Sequence, residues 1–211
     1  MKQIILATKN PGKIREFKQM MKKYPFEIRS LLDIAYENEI EETGATFEEN
    51  ALIKAREIAA KYKTTVVADD SGLEIDALDG APGVYSARYA GATPYASVVD
   101  QRDGSVVRSD DANMDKVLAE LEGVARENRR ARFVCVLVMV DEQGHETVVR
   151  GTCEGEIWHR KQGENGFGYD PIFYLPEHEL TMAELPEDEK NKLSHRGNAL
   201  KKLEKVIGRD I

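Results

Sequence analysis

The feature of this sequence that most constrains its fold is the apolar run at 132–140, with the sequence RFVCVLVMV. Its β-branched residues favour a strand, and it is far too short for a membrane-spanning helix, so it predicts a buried central strand. After a turn at 142–145, residues 146–157 are predicted to return as its antiparallel partner. This pair is the first indication of a mixed sheet.

Strand and helix patterns alternate along the rest of the chain, which favours an α/β fold. Further strands are predicted at 3–7, 26–31 and 65–68, and helices after the caps Asn10, Thr46 and Ser109 and at 200–207. The segment 92–108 has weak periodicity and is interpreted as a surface loop, while 181–193 is a polar helical stretch. With 211 residues, 41% of them hydrophobic, the chain can form one domain or two closely joined lobes.

The strand predicted at 65–68 ends in Asp69-Asp70-Ser71-Gly72, and a further strand or hairpin arm is predicted at 73–78. Ligands of α/β sheets bind outside the carboxyl ends of strands, and two adjacent carboxylates repel unless a cation or a proton separates them. Oxygen ligands at such a point suit Mg²⁺. The same four residues are also typical of a turn, because Asp and Ser bond their own backbone and Gly accepts a positive φ. Both interpretations stay open.

The loop at 8–13 joins the first predicted strand to a helix that Asn10 caps and Pro11 begins. Backbone N–H groups and the helix dipole at such a junction form a natural phosphate site. The loop is not a Walker A motif, because Ala7 and Ile14 stand where that motif needs Gly and Ser or Thr. A plain strand–helix turn is the alternative.

The formal net charge of −8 argues against a protein that coats nucleic acid. A polyphosphate ligand would need local lysines and a metal ion, because the overall field repels it. The N-terminal apolar run is too short for a signal peptide, and we expect a cytoplasmic protein without membrane contact. Cys135 and Cys153 show no paired metal spacing and are expected to be small buried residues.

Glycines alternate with aromatic residues at 163–173, and the run contains Asp170-Pro171. Gly lets backbone approach a ligand, aromatic rings offer faces on which a base stacks, and Asp accepts hydrogen bonds from ring N–H groups. A loop whose aromatics cap the core is the alternative. Ser194-His195 is not interpreted as a nucleophile pair, because the chain has no G-x-S-x-G elbow. Arg196 lies near a helix start, where the dipole disfavours a cation, and therefore needs an anion or carbonyl partner.

Six motifs in one order carry a resemblance to a known family. They are Thr8-x-Asn10-x-x-Lys13, Glu41-Glu42-Thr43-Gly44 with Thr46-Phe47-x-Glu49-Asn50-Ala51, Ala68-Asp69-Asp70-Ser71-Gly72-Leu73, the segment 80–89 (GAPGVYSARY), the segment 166–171 (GFGYDP) and Ser194-His195-Arg196-Gly197. From residue 3 to residue 207, the sequence resembles the inosine triphosphate pyrophosphatase family, also named Ham1-like.

The resemblance implies a Mg²⁺-dependent hydrolase that splits the purine nucleoside triphosphates ITP, dITP and XTP into monophosphate and pyrophosphate, and so removes deaminated purines from the nucleotide pool. It also implies an α/β fold in which a long mixed sheet and its helices form two lobes of one domain, 1–211, around a central cleft. A homodimer is implied, and no nucleic-acid partner is expected.

The resemblance also implies roles for individual residues. Asp70 matches the family's catalytic acid and a Mg²⁺ ligand, with Glu41 as its metal partner and Glu42 close enough to take that place. Substrate contacts are implied for Thr8, Lys9, Asn10, Pro11, Gly12, Lys13 and Ser71, and base contacts for Phe167, Gly168, Tyr169, Asp170, Lys190, His195 and Arg196. Asn50, Lys54, Asp69 and Arg88 are further candidates.

In the mechanism that these roles predict, Asp70 deprotonates a positioned water while Mg²⁺ and Lys13 hold the phosphates. A donor such as Arg196 would bond the 6-carbonyl of inosine and xanthosine and reject the 6-amino group of adenine. The segment 92–108 looks longer than the family's usual connection, for which a surface insertion is the favoured explanation. The alternatives are a pyrophosphatase with other nucleotide preferences and a nucleotide-binding sensor without catalysis.

Overall fold

The structure, a computed structural model, describes residues 2–91, 97–99 and 106–207. The strands are β1 (Lys2–Leu6), β2 (Phe26–Ser30), β3 (Thr65–Ile75), β4 (Ser97–Val99), β5 (Val106–Arg108), β6 (Arg130–Val140), β7 (Glu146–Ile157), β8 (Phe173–Leu175) and β9 (Leu180–Thr181). The helices are α1 (Pro11–Met21), α2 (Phe47–Tyr62), α3 (Ser109–Glu120), α4 (Glu187–Leu193) and α5 (His195–Ile207).

Within the described residues, a seven-stranded sheet has the order β2-β1-β3-β6-β7-β8-β9. β1 pairs in parallel with both β2 and β3. β8 pairs antiparallel with β7 and with β9. The sheet is therefore mixed, and the predicted α/β class is confirmed.

The chain divides into two compact units. The first comprises Met1–Ser71, Cys135–Thr152 and Leu193–Ile211, and the second comprises Gly72–Val134 and Cys153–Lys192. The first unit has an apolar core to which β1, β3, β6, α1 and α5 contribute. Its buried members are Ile4, Leu6, Phe17, Met21, Val67, Cys135, Leu137, Ala199, Leu200 and Leu203.

Both predicted helix starts in the first unit are confirmed. The Asn10 side chain accepts hydrogen bonds from the backbone N–H groups of Gly12 and Lys13, and Pro11 is the first residue of α1. Thr46 and Glu49 form a reciprocal capping box at the start of α2. These caps satisfy N–H groups that the helices leave without an internal partner, so each loop enters its helix at a fixed angle.

Gly151 lets β7 approach the first turns of α5 closely. A Cβ atom at this position would lie 2.3 Å from the backbone nitrogen of Ala199 and 2.3 Å from the carbonyl oxygen of His195. Both of these are backbone atoms, which cannot move aside as the end of a flexible side chain can. The spacing between β7 and α5 thus depends on a residue without a side chain.

The second unit buries apolar residues of α3 and of several strands. Met114, Val117 and Leu121 are buried, as predicted for the helix that follows Ser109, and the rings of Phe133 and Phe173 pack with their centroids 4.2 Å apart. The prediction of a surface loop at 92–108 is wrong where the structure describes it. β4 and β5 pair antiparallel there, with Val98 opposite Val107. Their β-branched residues favour this pairing.

The strand predicted at 65–68 is confirmed, but its predicted end is wrong, because β3 continues through Asp69, Asp70 and Ser71 to Ile75 without a turn. The side chains of Asp69 and Asp70 are buried and lie against lysines. With these partners the two acids are accommodated in a strand and need no local turn. The turn interpretation of these residues is therefore excluded, and so is the argument that placed them at a strand end.

The polar stretch at 181–193 is only partly helical. Thr181 ends β9, a 3₁₀ turn covers Met182–Glu184, and α4 begins at Glu187 directly after Pro186. Leu185 is extended, as expected for a residue that precedes proline. None of the described helices is long and apolar enough to cross a membrane.

Candidate active site

Asp69 is a buried carboxylate of the first unit with several close partners. Its Oδ2 atom lies 2.8 Å from Nζ of Lys13 and 3.7 Å from Nε of Arg196, and it accepts a hydrogen bond from the Ser71 hydroxyl. Burial by itself would raise the pKa of Asp69, but the charges of Lys13 and Arg196 outweigh it and hold that pKa well below its usual range. Asp69 is therefore ionised at neutral pH and holds Lys13 in place.

Asp70 has a different environment from its neighbour. Its carboxylate lies 3.6 Å from Nζ of Lys54, and burial raises its pKa above the ordinary value despite the opposing charges of Lys54 and Lys13. The Oδ2 atom of Asp70 is buried and meets no hydrogen-bond donor among the residues that the structure describes. A carboxylate oxygen in this condition is suited to accept a cation or a proton from a ligand.

Lys54 joins Asp70 to the acidic segment at 37–44. Its Nζ atom donates to Oε1 of Glu42 at 2.5 Å, and the charge of Glu42 contributes to raising the pKa of Asp70. Glu41, in contrast, is exposed. Of the two predicted metal partners, the structure therefore brings Glu42 to Asp70.

Asn50 and Gly44 fix the end of this acidic segment. The Asn50 side chain is buried and accepts a hydrogen bond from the backbone N–H of Gly44 at 2.8 Å. A Cβ atom on Gly44 would lie 2.6 Å from Cβ of Glu49 and 2.7 Å from Oδ1 of Asn50. Asn50 is thus engaged in shaping the segment that carries Glu42.

The loop at 8–13 lies at the N-terminus of α1, as predicted. Pro11 is exposed and Gly12 is buried. The Thr8 hydroxyl accepts from the backbone N–H of Asn10, and Lys9 donates to the carbonyl oxygens of Glu37 and Asn38. Lys9 therefore ties the loop to the acidic segment, whereas Lys13 is bound to Asp69.

Glu16 is a buried acid of α1 that the sequence analysis missed. Its Oε2 atom accepts a hydrogen bond from Arg196 in the first turn of α5, and both side chains are 3% exposed. Arg196 also donates to the Ser71 hydroxyl at 3.2 Å. Burial would lower the pKa of Arg196, but Glu16 and Asp69 raise it, so the guanidinium stays charged. The expected anionic partner of Arg196 is confirmed, and His195 is buried beside it in the chain.

The remaining predicted base contacts lie in the second unit. The carboxylate of Asp170 accepts from the Phe167 backbone N–H at 2.8 Å and from Nζ of Lys190 at 2.7 Å, and that Nζ lies 4.8 Å from the centre of the Phe167 ring. A Cβ atom on Gly166, whose φ is +80°, would lie 2.0 Å from Oδ2 of Asp170. The close approach to Asp170 explains why residue 166 is a glycine.

Arg88 and Tyr169, also in the second unit, have separate environments. The Arg88 guanidinium lies 5.3 Å from the centre of the exposed Tyr85 ring. Tyr169 is buried, and its hydroxyl donates to the carbonyl oxygen of Ser86 at 2.8 Å. Burial raises the pKa of Tyr169 far above its usual range, so its hydroxyl remains a donor.

The donor set fits a hard divalent cation held partly by its ligand. Among the described residues, no group of three or more His, Cys, Asp or Glu is placed to hold a metal ion. Mg²⁺ usually needs only one or two carboxylates, with waters and phosphate oxygens completing its shell. Asp70, whose buried Oδ2 meets no donor there, and Glu42 carry oxygens that could hold such a cation.

These features define an α/β protein whose first unit combines a capped helix N-terminus, lysines and two buried carboxylates, a set suited to a metal-chelating phosphate ligand. The chain belongs to the Ham1 family, whose model matches residues 4–206. The resemblance stated from the motifs is thereby confirmed.

Curated relatives and a solved structure agree over nearly the whole chain. The chain is 51% identical to a dITP/XTP pyrophosphatase of Bacillus anthracis over 209 residues, which covers 98% of this chain and 96% of that protein. It is also 51% identical to a dITP/XTP pyrophosphatase of Bacillus subtilis, with 98% of each chain covered. The Ham1 protein of Staphylococcus aureus superposes with a TM-score of 0.82 and 42% identity, covering 100% of both chains.

Proposed function

We propose that this protein hydrolyses deaminated purine nucleoside triphosphates, namely ITP, dITP and XTP, to the monophosphate and pyrophosphate. The observation that carries the proposal is the 51% identity to dITP/XTP pyrophosphatases over almost the full length of both chains. The carboxylate cluster of the first unit, defined as Asp69, Asp70 and Glu42, also supports the proposal. This cluster supplies groups that phosphoanhydride hydrolysis needs.

The triphosphate would bind at the N-terminus of α1. Lys13 supplies a cation held in place by Asp69, and the loop that precedes it is shaped by the Asn10 cap. Backbone N–H groups and the dipole at a helix N-terminus favour an anion. In this proposal Thr8 to Gly12 contribute mainly backbone groups, since the Lys9 side chain contacts the acidic segment.

Mg²⁺ is the metal that the cluster fits, with Asp70 and Glu42 as its protein ligands. When bound, it would polarise the phosphate oxygens and neutralise charge on the leaving pyrophosphate. The motifs alone pointed to Glu41 as the partner of Asp70. The exposure of Glu41 and the contact of Glu42 with Lys54 support Glu42 instead.

Asp70 would accept the proton of the attacking water. Burial raises its pKa, which makes its carboxylate a stronger base than an exposed aspartate. Lys54, 3.6 Å away, opposes this rise in the pKa of Asp70 through its positive charge. The same charge would be available to a phosphate group. Ser71, bonded to Asp69 and Arg196, would contact the same part of the substrate.

The candidates for base recognition are Phe167, Gly168, Tyr169, Asp170 and Lys190 in the second unit, and His195 and Arg196 in the first. The Phe167 ring offers a stacking face, and the carboxylate of Asp170 accepts hydrogen bonds from N–H groups. A donor such as Arg196 would bond the 6-carbonyl of hypoxanthine and xanthine, whereas the 6-amino group of adenine offers such a donor no acceptor.

The test is pyrophosphate release from ITP, XTP, dITP, ATP, GTP and dTTP, each with Mg²⁺ and with EDTA. We expect strong release from ITP, XTP and dITP that EDTA abolishes, with little release from the standard nucleotides. Equal activity on all six would replace the proposal by a general nucleotide pyrophosphatase. No release from any of them, together with measurable nucleotide binding, would favour a sensor without catalysis.

A homodimer and a cytoplasmic location belong to the same proposal. Light scattering coupled to size-exclusion chromatography tests the first, and a mass close to 24 kDa, that of one chain, would overturn it.

A further inference from the structure

Helix α3 contacts two separate segments of the second unit through polar side chains near its start. One segment is the glycine–aromatic loop, defined as Gly166–Asp170, and the other is the 3₁₀ turn Gly83–Arg88 with the residues that follow it. The motifs of the sequence analysis included both segments but no residue of α3. Side chains of α3 therefore contact two of the motifs, although the helix belongs to none of them.

Asp110 holds the glycine–aromatic loop. Its Oδ2 atom accepts a hydrogen bond from the backbone N–H of Gly168 at 3.0 Å. Gly168 has a φ of +64° and lies between Phe167 and Tyr169, so this bond fixes the backbone at the middle of the loop. The bond joins residues 58 positions apart in the sequence, and it is the Asp110 side chain that spans the gap between helix and loop.

Asn113, one helical turn after Asp110, holds the other segment. Its carboxamide is buried, accepts from the Ala90 backbone N–H at 2.7 Å and donates to the carbonyl oxygens of Ser86 and Ala87 at 3.4 and 3.3 Å. The carbonyl of Ser86 also accepts from the Tyr169 hydroxyl. The two segments that α3 contacts are therefore also bonded to each other, through the Tyr169 hydroxyl and the Ser86 carbonyl.

Two different sets of contacts hold the middle and the C-terminal end of the glycine–aromatic loop. Asp170 is fixed by Lys190, whereas Gly168 and Tyr169 are fixed by Asp110 and Ser86. Phe167 directly precedes Gly168, and its own backbone N–H donates to Asp170. Losing the Asp110 contact would free the Gly168 N–H, while Asp170 would remain bound to Lys190.

We infer that Asp110 is a positioning residue that sets the base selectivity of the enzyme by fixing the backbone of the glycine–aromatic loop at Gly168. This inference rests on the proposed function, in which that loop contacts the base. Asp110 acts through Gly168 and does not itself contact the substrate.

Three variants test the inference. Asp110→Ala removes the acceptor. Asp110→Asn keeps an acceptor oxygen of the same size and geometry. Asp111→Ala is the matched control, because Asp111 is the next residue of α3 and its carboxylate pairs with Lys161 instead. For each variant and the parent protein, kcat and KM are measured with ITP and with ATP.

For Asp110→Ala we expect the ratio of kcat/KM for ITP to that for ATP to fall roughly fivefold to tenfold, because one hydrogen bond of ordinary strength is lost. The loss should lie mainly in KM for ITP. Asp110→Asn should retain most of the ratio, and Asp111→Ala should retain all of it. A purely structural role of Asp110 would lower activity on both nucleotides by the same factor and leave the ratio unchanged.

Hydrogen exchange supplies a readout that does not depend on turnover. Amide exchange in a peptide spanning 163–175 should be faster in Asp110→Ala than in the parent protein and unchanged in Asp111→Ala. An unchanged nucleotide ratio or unchanged exchange in Asp110→Ala, in a parent enzyme that does prefer ITP, would overturn this inference alone. A parent protein without preference for ITP would overturn the proposed base recognition and this inference with it.

Discussion

Nζ of Lys13 lies 2.8 Å from Oδ2 of Asp69, so the lysine of the phosphate loop is bound to the acid that directly precedes Asp70. Nε of Arg196 lies 3.7 Å from the same carboxylate oxygen. Two adjacent residues of one strand thus have different tasks. Asp69 orients cations that hold its own pKa low, whereas burial raises the pKa of Asp70 and suits that carboxylate to accept a proton.

Replacing Asp69 by Asn tests the first task. The change keeps the shape of the side chain but leaves Lys13 and Arg196 without their shared negative charge in a buried site. We expect the free energy of unfolding at pH 7 to fall by about 3–5 kcal/mol, measured by urea denaturation. Asp76→Asn is the control, because Asp76 forms an exposed pair with Arg132 that should contribute less than about 1 kcal/mol. Equal losses in the two variants would contradict the role of Asp69.

Replacing Asp70 by Asn tests the second task. Turnover of ITP should fall by a factor of about 10²–10⁴, the usual contribution of a general base, and more if the metal is also lost. The protein should unfold at the same temperature or higher, because burial and the negative charges of Glu42 and Asp69 already disfavour the ionised form of Asp70. Full turnover in this variant would remove Asp70 from the mechanism.

Glu42→Gln and Glu41→Gln distinguish the two predicted metal partners. Glu42 lies with Lys54 beside Asp70, whereas Glu41 is exposed. The Mg²⁺ concentration for half-maximal activity should rise roughly tenfold in Glu42→Gln, equivalent to about 1.4 kcal/mol of binding free energy, and change less than about twofold in Glu41→Gln. Calorimetry of Mg²⁺ binding supplies a readout without turnover. The reverse order would restore Glu41 as the ligand.

Arg196 needs a paired substitution. Arg196→Ala alone leaves Glu16 as an uncompensated buried charge, which we expect to destabilise the fold by about 3–5 kcal/mol and to obscure any effect on selectivity. The double variant Glu16→Gln with Arg196→Gln removes both charges and keeps hydrogen-bonding groups. Its preference for ITP over ATP should fall at least about tenfold, measured as the ratio of kcat/KM values. A preserved preference would assign recognition of the 6-carbonyl to another donor.

Asp33 provides a prediction about pH. Hydrogen bonds from Lys18 and from the backbone and hydroxyl of Ser30 lower the pKa of Asp33 from 3.8 to about 2. A lowered pKa adds stability above the unfolded value, and this stability is lost as the pH falls from about 4 towards 2. Because the Asp33 side chain is 39% exposed, solvent screening limits the effect to about 1 kcal/mol. Asp33→Asn should therefore weaken the pH dependence of urea unfolding in this range, and parallel curves for the two proteins would contradict the assignment.

Local signals in the sequence predicted those parts of the fold that depend on local interactions. Asn10 and Thr46 cap their helices through residues two or three positions away, and both predictions are confirmed. The course of β3 through Asp69 and Asp70 was not predictable in this way. Asp69 is buried against Lys13 and Arg196, which belong to helices at opposite ends of the chain, and Asp70 is buried against Lys54.

The site was predicted best where a motif marked it and least well where a partner is distant. Glu16 resembles any charged residue of an amphipathic helix, and its partner Arg196 is 180 residues away. The choice between Glu41 and Glu42 depends on which way side chains point from a loop. In the structure Glu42 contacts Lys54, and the end of its segment is held by the bond between Gly44 and Asn50; the residue pattern gives no signal for either contact.

The close approach of β7 to α5 at Gly151 has a consequence for directed evolution of such a protein. A methyl group at this position would force the first turns of α5 away from the strand, and the helix carries His195 and Arg196 with it. A mutant library confined to side chains around the carboxylates would omit position 151. Substitutions at position 151 would displace the Arg196 guanidinium by a fraction of an ångström and leave every chemical group of the site unchanged. The activity of the enzyme would then be altered from outside the site.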